Sequence, residues 1–281
     1  MEQSSRAELE ESMQYHHPEK TLAELPGGQE IADEMLAPFF GTDVRTYREI
    51  KGTFAERARR CARELLESVR FARFVDRLPF EPGSTVVGLG DSITDDAQSW
   101  LEILRHLLGE RRPEDEIELL NAGISGDTTS GLLGRFLDLL ERDPAWIIIL
   151  IGTNDVAFVR EPRTKSLVSR EETDKNLRTL RDLTEALSSE ARLVWMTPPP
   201  AIEARVVESS SLCEPTWRNA DLAEVARLVR GVAGEDTLVD LWEAFGDPPE
   251  PELLLPDGLH PSLAGQRAIA AALVEQLGYR R

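Results

Sequence analysis

Residues Ser84 to Trp100 read STVVGLGDSITDDAQSW, and the character of the chain changes halfway along them. The first part, Thr85 to Leu89, is a short apolar run rich in β-branched residues, which is typical of a buried strand. After Gly90-Asp91-Ser92 the apolar residues recur at helical spacing, at Trp100, Ile103, Leu104, Leu107 and Leu108. Ser92 is therefore predicted to lie between a strand and a helix. In a parallel sheet this is the carboxyl edge, where ligands bind.

The tripeptide Gly90-Asp91-Ser92 is a weak signal when taken alone. Glycine supplies a tight turn, and aspartate and serine are ordinary residues of turns and helix caps. A functional interpretation of Ser92 therefore depends on other parts of the chain.

Beyond Ser84 strands and helices alternate, which is the pattern of a parallel sheet covered by helices on both faces. Strands are predicted at 84–90, 117–123, 145–152, 191–197 and 236–242. Helices are predicted at 96–109, 128–141, 170–189, 216–233 and 262–277. Ser169 with Glu172 suits a capping box for the third helix, and Gly278 suits the end of the last one.

Residues 1–80 form a polar, charged extension, and residues 81–281 form the main domain. From Thr53 to Asp76 apolar residues recur at threes and fours, which predicts one amphipathic helix. We expect it to pack on the main domain; a lid or a contact between subunits is the alternative. His16 and His17 lie in a stretch rich in Pro, Gly and Glu, where exposed loop residues are expected rather than metal ligands.

The overall composition excludes several classes of partner. The 281 residues are 41% hydrophobic and 30% charged, and 51 acidic against 32 basic residues give a net charge of −19. Nucleic acids and anionic membranes both need a basic face and are not expected as partners.

The longest apolar run, Ala145 to Ile151, is too short to span a bilayer. Cys61 and Cys213 give no disulfide framework, and the first eleven residues lack signal-peptide features, so a cytoplasmic location is expected.

Two further strands end in polar residues that suit a binding site. The second strand continues into Asn121 to Thr129, NAGISGDTT. Two alternatives are open for Gly123: its N–H points into a pocket, or it belongs to an ordinary glycine-rich turn. The third strand ends in Gly152-Thr153-Asn154-Asp155. The Asn154 carboxamide is suited to hydrogen-bond a developing oxyanion, although Asn-Asp is also ordinary in turns.

The segment Pro256 to Ser262, PDGLHPS, follows the fifth strand and precedes the last helix. His260 is thereby predicted to lie in a loop at the carboxyl edge. Asp257, three residues earlier, is close enough to accept a hydrogen bond from the imidazole Nδ1–H, as in a catalytic triad. The alternative is a surface histidine beside a helix cap.

Taken together, four blocks resemble the SGNH hydrolases, also called the GDSL esterase/lipase family: Gly90-Asp91-Ser92-Ile93, Asn121 to Gly126, Gly152 to Asp155, and Asp257 to Pro261. The resemblance spans roughly residues 84–278 and excludes the extension. It implies a three-layer, flavodoxin-like α/β sandwich with about five parallel strands. The chain departs from the family's pattern at Ile93 and Ser262, where leucine and asparagine are usual.

The resemblance also implies a role for each matching residue. Ser92 would be the nucleophile, His260 the general base and acid, and Asp257 the residue that orients His260. The oxyanion hole would comprise the Ser92 N–H, the Gly123 N–H and the Asn154 side chain. No metal or organic cofactor is expected. Ser125 is the rival hydroxyl.

The implied activity is hydrolysis of an ester through an acyl-enzyme. A small-molecule or carbohydrate ester with a short acyl group such as acetyl is expected, because the connections at 156–168 and 198–215 lack the long apolar surface of an interfacial lipase. Arg160 and Arg205 are candidates to bind an anionic leaving group, or are surface arginines. An acyltransferase, a lysophospholipase or thioesterase, and an inactive binding protein are the alternatives. An oligomer formed through the N-terminal helix is also open.

Overall fold

The computed structural model of the chain describes residues 5–22, 33–159, 165–188, 190–209 and 215–279. A five-stranded parallel sheet lies at the centre, and its strands lie side by side in the order β2 (Glu118–Gly123), β1 (Thr85–Gly90), β3 (Trp146–Leu150), β5 (Arg192–Met196) and β7 (Thr237–Val239). This is the flavodoxin-like order, so the predicted α/β fold class is confirmed. The two-residue strands β4 (Phe158–Val159) and β6 (Pro215–Thr216) form a separate antiparallel pair.

The register of the sheet brings three strand ends to one edge. Gly90, the last residue of β1, lies opposite Gly123 of β2 on one side and Leu150 of β3 on the other. The loops that follow these three strands therefore leave the sheet side by side. This edge is where the sequence predicts the functional residues.

Helices cover both faces of the sheet and bury two apolar layers. One face carries α7 (Trp100–Arg111), α12 (Leu241–Phe245) and α13 (Leu263–Tyr279), and the other carries α8 (Thr129–Leu140), α9 (Arg170–Leu187) and α11 (Asn219–Ala233). The short helices α6 (Ser92–Asp95) and α10 (Glu203–Ser209) lie in the loops after β1 and β5. Ser169 caps α9, because its Oγ accepts from the Glu172 N–H at 3.2 Å, which is one half of the predicted capping box.

The extension consists of short helices followed by two longer ones. They are α1 (Arg6–Tyr15), α2 (Pro18–Leu22), α3 (Asp33–Leu36), α4 (Val44–Leu66) and α5 (Val69–Asp76). The prediction of one helix over 53–76 is wrong, because Ser68 ends the run and caps α5 through the Phe71 N–H. Helix α4 packs on α7, and α5 packs on α13. The division at residue 80 stays a prediction.

The last helix does not end at Gly278 as the sequence suggested. Helix α13 continues to Tyr279, and Gly278 is buried inside it against α5. A Cβ at position 278 would lie 2.7 Å from the Phe74 carbonyl oxygen. Glycine therefore serves close packing here, which composition cannot distinguish from a helix stop. None of the helices in the described ranges is both long and apolar enough to cross a membrane.

Candidate active site

Ser92 is the first residue of α6, immediately after β1. Asp91 caps this short helix, because its Oδ1 accepts from the Ile93 N–H at 3.0 Å. The cap fixes the turn and holds the Ser92 side chain at the carboxyl edge of the sheet. There the Ser92 Oγ lies 3.0 Å from His260 Nε2.

The loop before α13 carries both remaining members of the predicted triad. His260 Nδ1 lies 2.6 Å from Asp257 Oδ2. The second Asp257 oxygen accepts from the backbone N–H groups of Leu259 and His260, at 2.9 and 3.1 Å. The carboxylate is therefore fixed by its own loop, and it in turn fixes the plane of the imidazole. Serine, imidazole and carboxylate form one hydrogen-bonded chain.

The charges around His260 favour its protonated form. Burial lowers the pKa of the imidazole, but the hydrogen bond and charge of Asp257, with the charges of Asp91 and Asp96, outweigh burial and raise the pKa above its ordinary value. Burial raises the pKa of Asp257, but the hydrogen bond and charge of His260 lower it below the usual range. Asp91 is fully buried, and burial raises its pKa to about 7.

Asn154 lies in the loop after β3, four residues beyond Leu150, and lines the same cavity as Ser92. Its Nδ2 donates to the Asp127 carbonyl oxygen at 2.9 Å, and the second N–H of the amide has no partner among the residues that the structure describes. Arg135 of α8 holds Asp127 in place, since its Nη2 lies 2.8 Å from Asp127 Oδ2 and its Nη1 donates to the Ala122 carbonyl at 2.7 Å. Arg135 thus holds the glycine-rich turn, residues Asn121 to Thr129, against the end of the strand.

The expectation for Gly123 is corrected by this geometry. Its N–H donates to Asn121 Oδ1 at 3.1 Å, and Gly123 does not line the cavity. A Cβ at this position would lie 2.5 Å from the Asp95 nitrogen, so glycine is needed there for close packing. Gly126, with a φ of +82°, lines the cavity beside Ser92 and Asn154. Its N–H has no hydrogen-bond partner within the described ranges.

The cavity above Ser92 has a volume of about 580 Å³. Both connections expected to shape it contribute: Ala157 and Leu167 from the first, and Pro215 at the end of the second. Trp217 and Leu259 complete its apolar lining.

Of the two arginines proposed for an anionic leaving group, Arg205 lies among the described residues and does not line the cavity. The Arg205 Nη1 donates to backbone carbonyls of the 251–255 segment, at 2.9 Å to Pro251, and therefore has a structural role. Arg160 and Cys213 lie outside the described residues. Ser125 lines the cavity, but its Oγ donates to Asp95 Oδ2 at 2.8 Å instead of contacting an imidazole.

The extension contributes a wall that the sequence did not indicate. Residues of α1 and the turn after it line the cavity: Glu8, Glu11, Ser12, Tyr15 and His16. The expectation that His17 is an exposed loop residue is wrong, because its Nδ1 lies 2.8 Å from Asp95 Oδ1 and its side chain is 16% exposed. The polar composition of this segment gave no sign of such contacts. In the part of the chain that the structure describes, no group of three His, Cys, Asp or Glu side chains is arranged to hold a metal ion.

A parallel sheet with a serine, an imidazole and a carboxylate in contact at its carboxyl edge is an arrangement that several classes of hydrolase share. Among them, this chain belongs to the GDSL-like lipase/acylhydrolase family, whose model matches residues 89–268, well over half of the chain.

Relatives with known names point to ester chemistry. An acetylxylan esterase of Geobacillus stearothermophilus is 29% identical over 223 residues, which cover 70% of this chain and 95% of the relative. The esterase TesA of Pseudomonas aeruginosa is 27% identical over 189 residues, covering 65% and 82%. The chain is a carboxylic ester hydrolase.

A solved structure supports the same assignment of fold. The R55A mutant of Axe2, an acetyl-xylooligosaccharide esterase from Geobacillus, matches with a TM-score of 0.60 and 28% identity over 72% of this chain and 97% of that one. Three other matching structures of Axe2 are described as catalytic mutants, in which a serine, a histidine and an aspartate, respectively, are replaced by alanine.

Proposed function

We propose that this protein removes a short acyl group, acetyl in the first place, from a neutral small-molecule or carbohydrate ester through an acyl-enzyme on Ser92. The observation that carries the proposal is the chain of contacts from Ser92 Oγ to His260 Nε2 at 3.0 Å and from His260 Nδ1 to Asp257 Oδ2 at 2.6 Å. It is supported by Axe2, whose catalytic mutants replace the same three residue types.

In the first half of the reaction Ser92 Oγ attacks the ester carbonyl while His260 Nε2 takes the hydroxyl proton. The carbonyl π electrons move onto oxygen, and the Ser92 N–H, the Gly126 N–H and the Asn154 amide stabilise that oxyanion. As the tetrahedral intermediate collapses, His260 returns the proton to the alcohol oxygen and the carbon–oxygen bond of the ester breaks. Asp257 stabilises the imidazolium between these two proton transfers.

In the second half water replaces the alcohol. His260 removes a proton from the water, the hydroxyl attacks the acyl carbon, and the same donors stabilise the second oxyanion. Collapse breaks the bond to Ser92 Oγ, which regains its proton from His260, and the carboxylic acid leaves.

The walls of the cavity favour a neutral substrate. Glu8 and Glu11 of α1 line its rim, so their charges oppose an anionic alcohol such as a phosphate ester. The apolar part of the lining suits a short acyl chain. Two relatives whose names specify an acetyl ester, the acetylxylan esterase and an isoamyl acetate-hydrolyzing esterase homolog of Bos taurus, agree with this choice.

The test is a kcat/KM series on p-nitrophenyl esters of increasing chain length, run beside a panel of acetylated sugars. Ser92→Ala is expected to lower kcat by at least about 10³-fold. Ser125→Ala, which removes the other hydroxyl at the cavity, keeps turnover within about tenfold because the nucleophile remains.

Chain length decides the substrate class. Activity that falls steeply beyond short acyl chains supports the proposal, whereas a rise toward long acyl chains would assign a different substrate. Wild-type turnover in Ser92→Ala would refute the nucleophile.

A further inference from the structure

Helix α1 and the turn that leads into α2 lie directly against the catalytic cavity. Ser12, Tyr15 and His16 line it together with Trp217 and Leu259. This segment precedes the residues that the family model matches, 89–268, and is therefore an addition of this chain to the common fold.

Tyr15, the last residue of α1, packs on the imidazole of His260. The ring centroids are 4.9 Å apart and the planes are inclined by 42°. Its phenol oxygen accepts from Gln14 Nε2 at 3.2 Å, and the same nitrogen donates to Asp96 Oδ2 at 2.9 Å. Burial and the nearby carboxylates raise the pKa of Tyr15 above its ordinary value, so the phenol stays neutral while His260 titrates.

The segment is anchored to the short helix that begins with Ser92. Lys20 Nζ lies 2.5 Å from Asp95 Oδ1 and donates to the Gly123 carbonyl at 2.9 Å, and His17 contacts the same carboxylate. The backbone N–H of Ala97 donates to the Gln14 carbonyl at 3.0 Å. Tyr15 is therefore fixed by the element that carries the proposed nucleophile.

We propose that Arg6–Leu22 is a built-in wall of the active site and that Tyr15 is a positioning residue for His260. The inference rests on the proposed function. The tyrosine ring limits rotation of the imidazole away from Ser92. Its π face also stabilises the imidazolium that forms when the proton leaves Ser92, because a cation within about 6 Å of a ring centroid is attracted to it.

The variants are Tyr15→Ala, Tyr15→Leu and Tyr15→Phe, with Tyr279→Ala as a control at an exposed tyrosine on α13. With p-nitrophenyl acetate as substrate, Tyr15→Ala and Tyr15→Leu lower kcat by about tenfold and change KM little, since the ring acts on a charge that forms only in the reaction. Tyr15→Phe keeps the ring and stays within about twofold of wild type, as does Tyr279→Ala.

The pH profile separates this role from a general loss of stability. His260 is surrounded by Asp257, Asp91 and Asp96, which remain in all variants, and Glu8 and Glu11 line the cavity from α1. Tyr15→Leu keeps the imidazole covered but removes the π face that stabilises the imidazolium, so the pKa of His260 falls and the acidic limb of kcat/KM moves to lower pH. Tyr15→Phe leaves the limb in place.

Labelling of Ser92 by a fluorophosphonate distinguishes failure of the inference from failure of the proposed function. If wild type labels and Tyr15→Leu retains wild-type kcat and pH profile, the role of Tyr15 is refuted while the nucleophile stands. If wild type does not label, the proposed function itself fails. Tyr15→Leu keeps most of the side-chain volume and decides the question if Tyr15→Ala does not fold.

Discussion

Asp95 joins the N-terminal segment to the glycine-rich turn. Its replacement by asparagine is expected to lower the free energy of unfolding by an amount that follows from the pKa of this carboxyl group. The carboxylate is 3% exposed. Oδ1 contacts Lys20 and His17, and Oδ2 accepts from both the N–H and the hydroxyl of Ser125, each at 2.8 Å. An asparagine at this position would keep the shape of the side chain but not the charge that the cation of Lys20 faces.

The shift in the Asp95 pKa sets the size of the effect. Burial raises this pKa, but the hydrogen bond to His17 and the charge of Lys20 outweigh burial and lower it from 3.8 to about 2. One pKa unit corresponds to about 1.4 kcal/mol, so ionised Asp95 contributes about 2.5 kcal/mol to the free energy of unfolding at neutral pH. Because the folded-state pKa is depressed, the contribution is present above about pH 4 and is lost as the pH falls toward 2.

Urea unfolding followed by circular dichroism, at a series of pH values from neutral to about 3, measures the difference between wild type and Asp95→Asn. Asp76→Asn is the matched control, since Asp76 pairs with Arg111 at the surface with both side chains more than a third exposed. It is expected to cost less than about 1 kcal/mol. A loss below about 1 kcal/mol for Asp95→Asn at neutral pH, or one that does not shrink in acid, would refute the reasoning.

Two further predictions concern the catalytic step. Asn154→Ala removes one donor from the proposed oxyanion hole and is expected to lower kcat by about 10²–10³-fold with a smaller change in KM, measured by steady-state hydrolysis of p-nitrophenyl acetate; an unchanged kcat would exclude Asn154 from that role. Asp91→Asn keeps the cap on Ile93 but removes a carboxyl group that has a pKa of about 7 and whose ionised form raises the pKa of His260, so the two groups titrate as a coupled pair. The acidic limb of kcat/KM should therefore move to lower pH, and a limb that stays in place would contradict this electrostatic coupling.

The parts of the site that the sequence predicts are those that follow strand ends. The run Thr85 to Leu89 and the apolar third strand identify the parallel sheet, and the register of that sheet determines which loops meet. Ser92, Asn154 and His260 were expected at one edge because each follows a predicted strand, and the structure brings them together there.

Local patterns could not show which backbone groups remain free. The turn NAGISGDTT offers two glycines, and only the fold shows that the Gly123 N–H is used by Asn121 while Gly126 adopts a positive φ at the cavity. The helix boundary at Ser68 was hidden in the same way. The apolar stripes of α4 and α5 both face the same core, so the helical spacing of apolar residues continues across Ser68 although one helix ends and another begins there.

The contribution of the extension was not predictable because it depends on contacts between distant parts of the chain. Tyr15 and His17 lie in a polar stretch without apolar periodicity. Their partners, His260 and Asp95, are distant in sequence and become neighbours only in the folded chain. A polar segment that meets buried carboxylates has the same composition as a solvated one.

The proposed reaction requires a covalent bond between the acyl group and Ser92. Rapid quenching in acid during turnover of p-nitrophenyl acetate, followed by peptide mass spectrometry, tests for this bond most directly. We predict one acetyl group on the peptide that contains Ser92, and none in Ser92→Ala or His260→Ala. Acetylation at Ser125 instead, or hydrolysis at the wild-type rate by Ser92→Ala, would contradict the account.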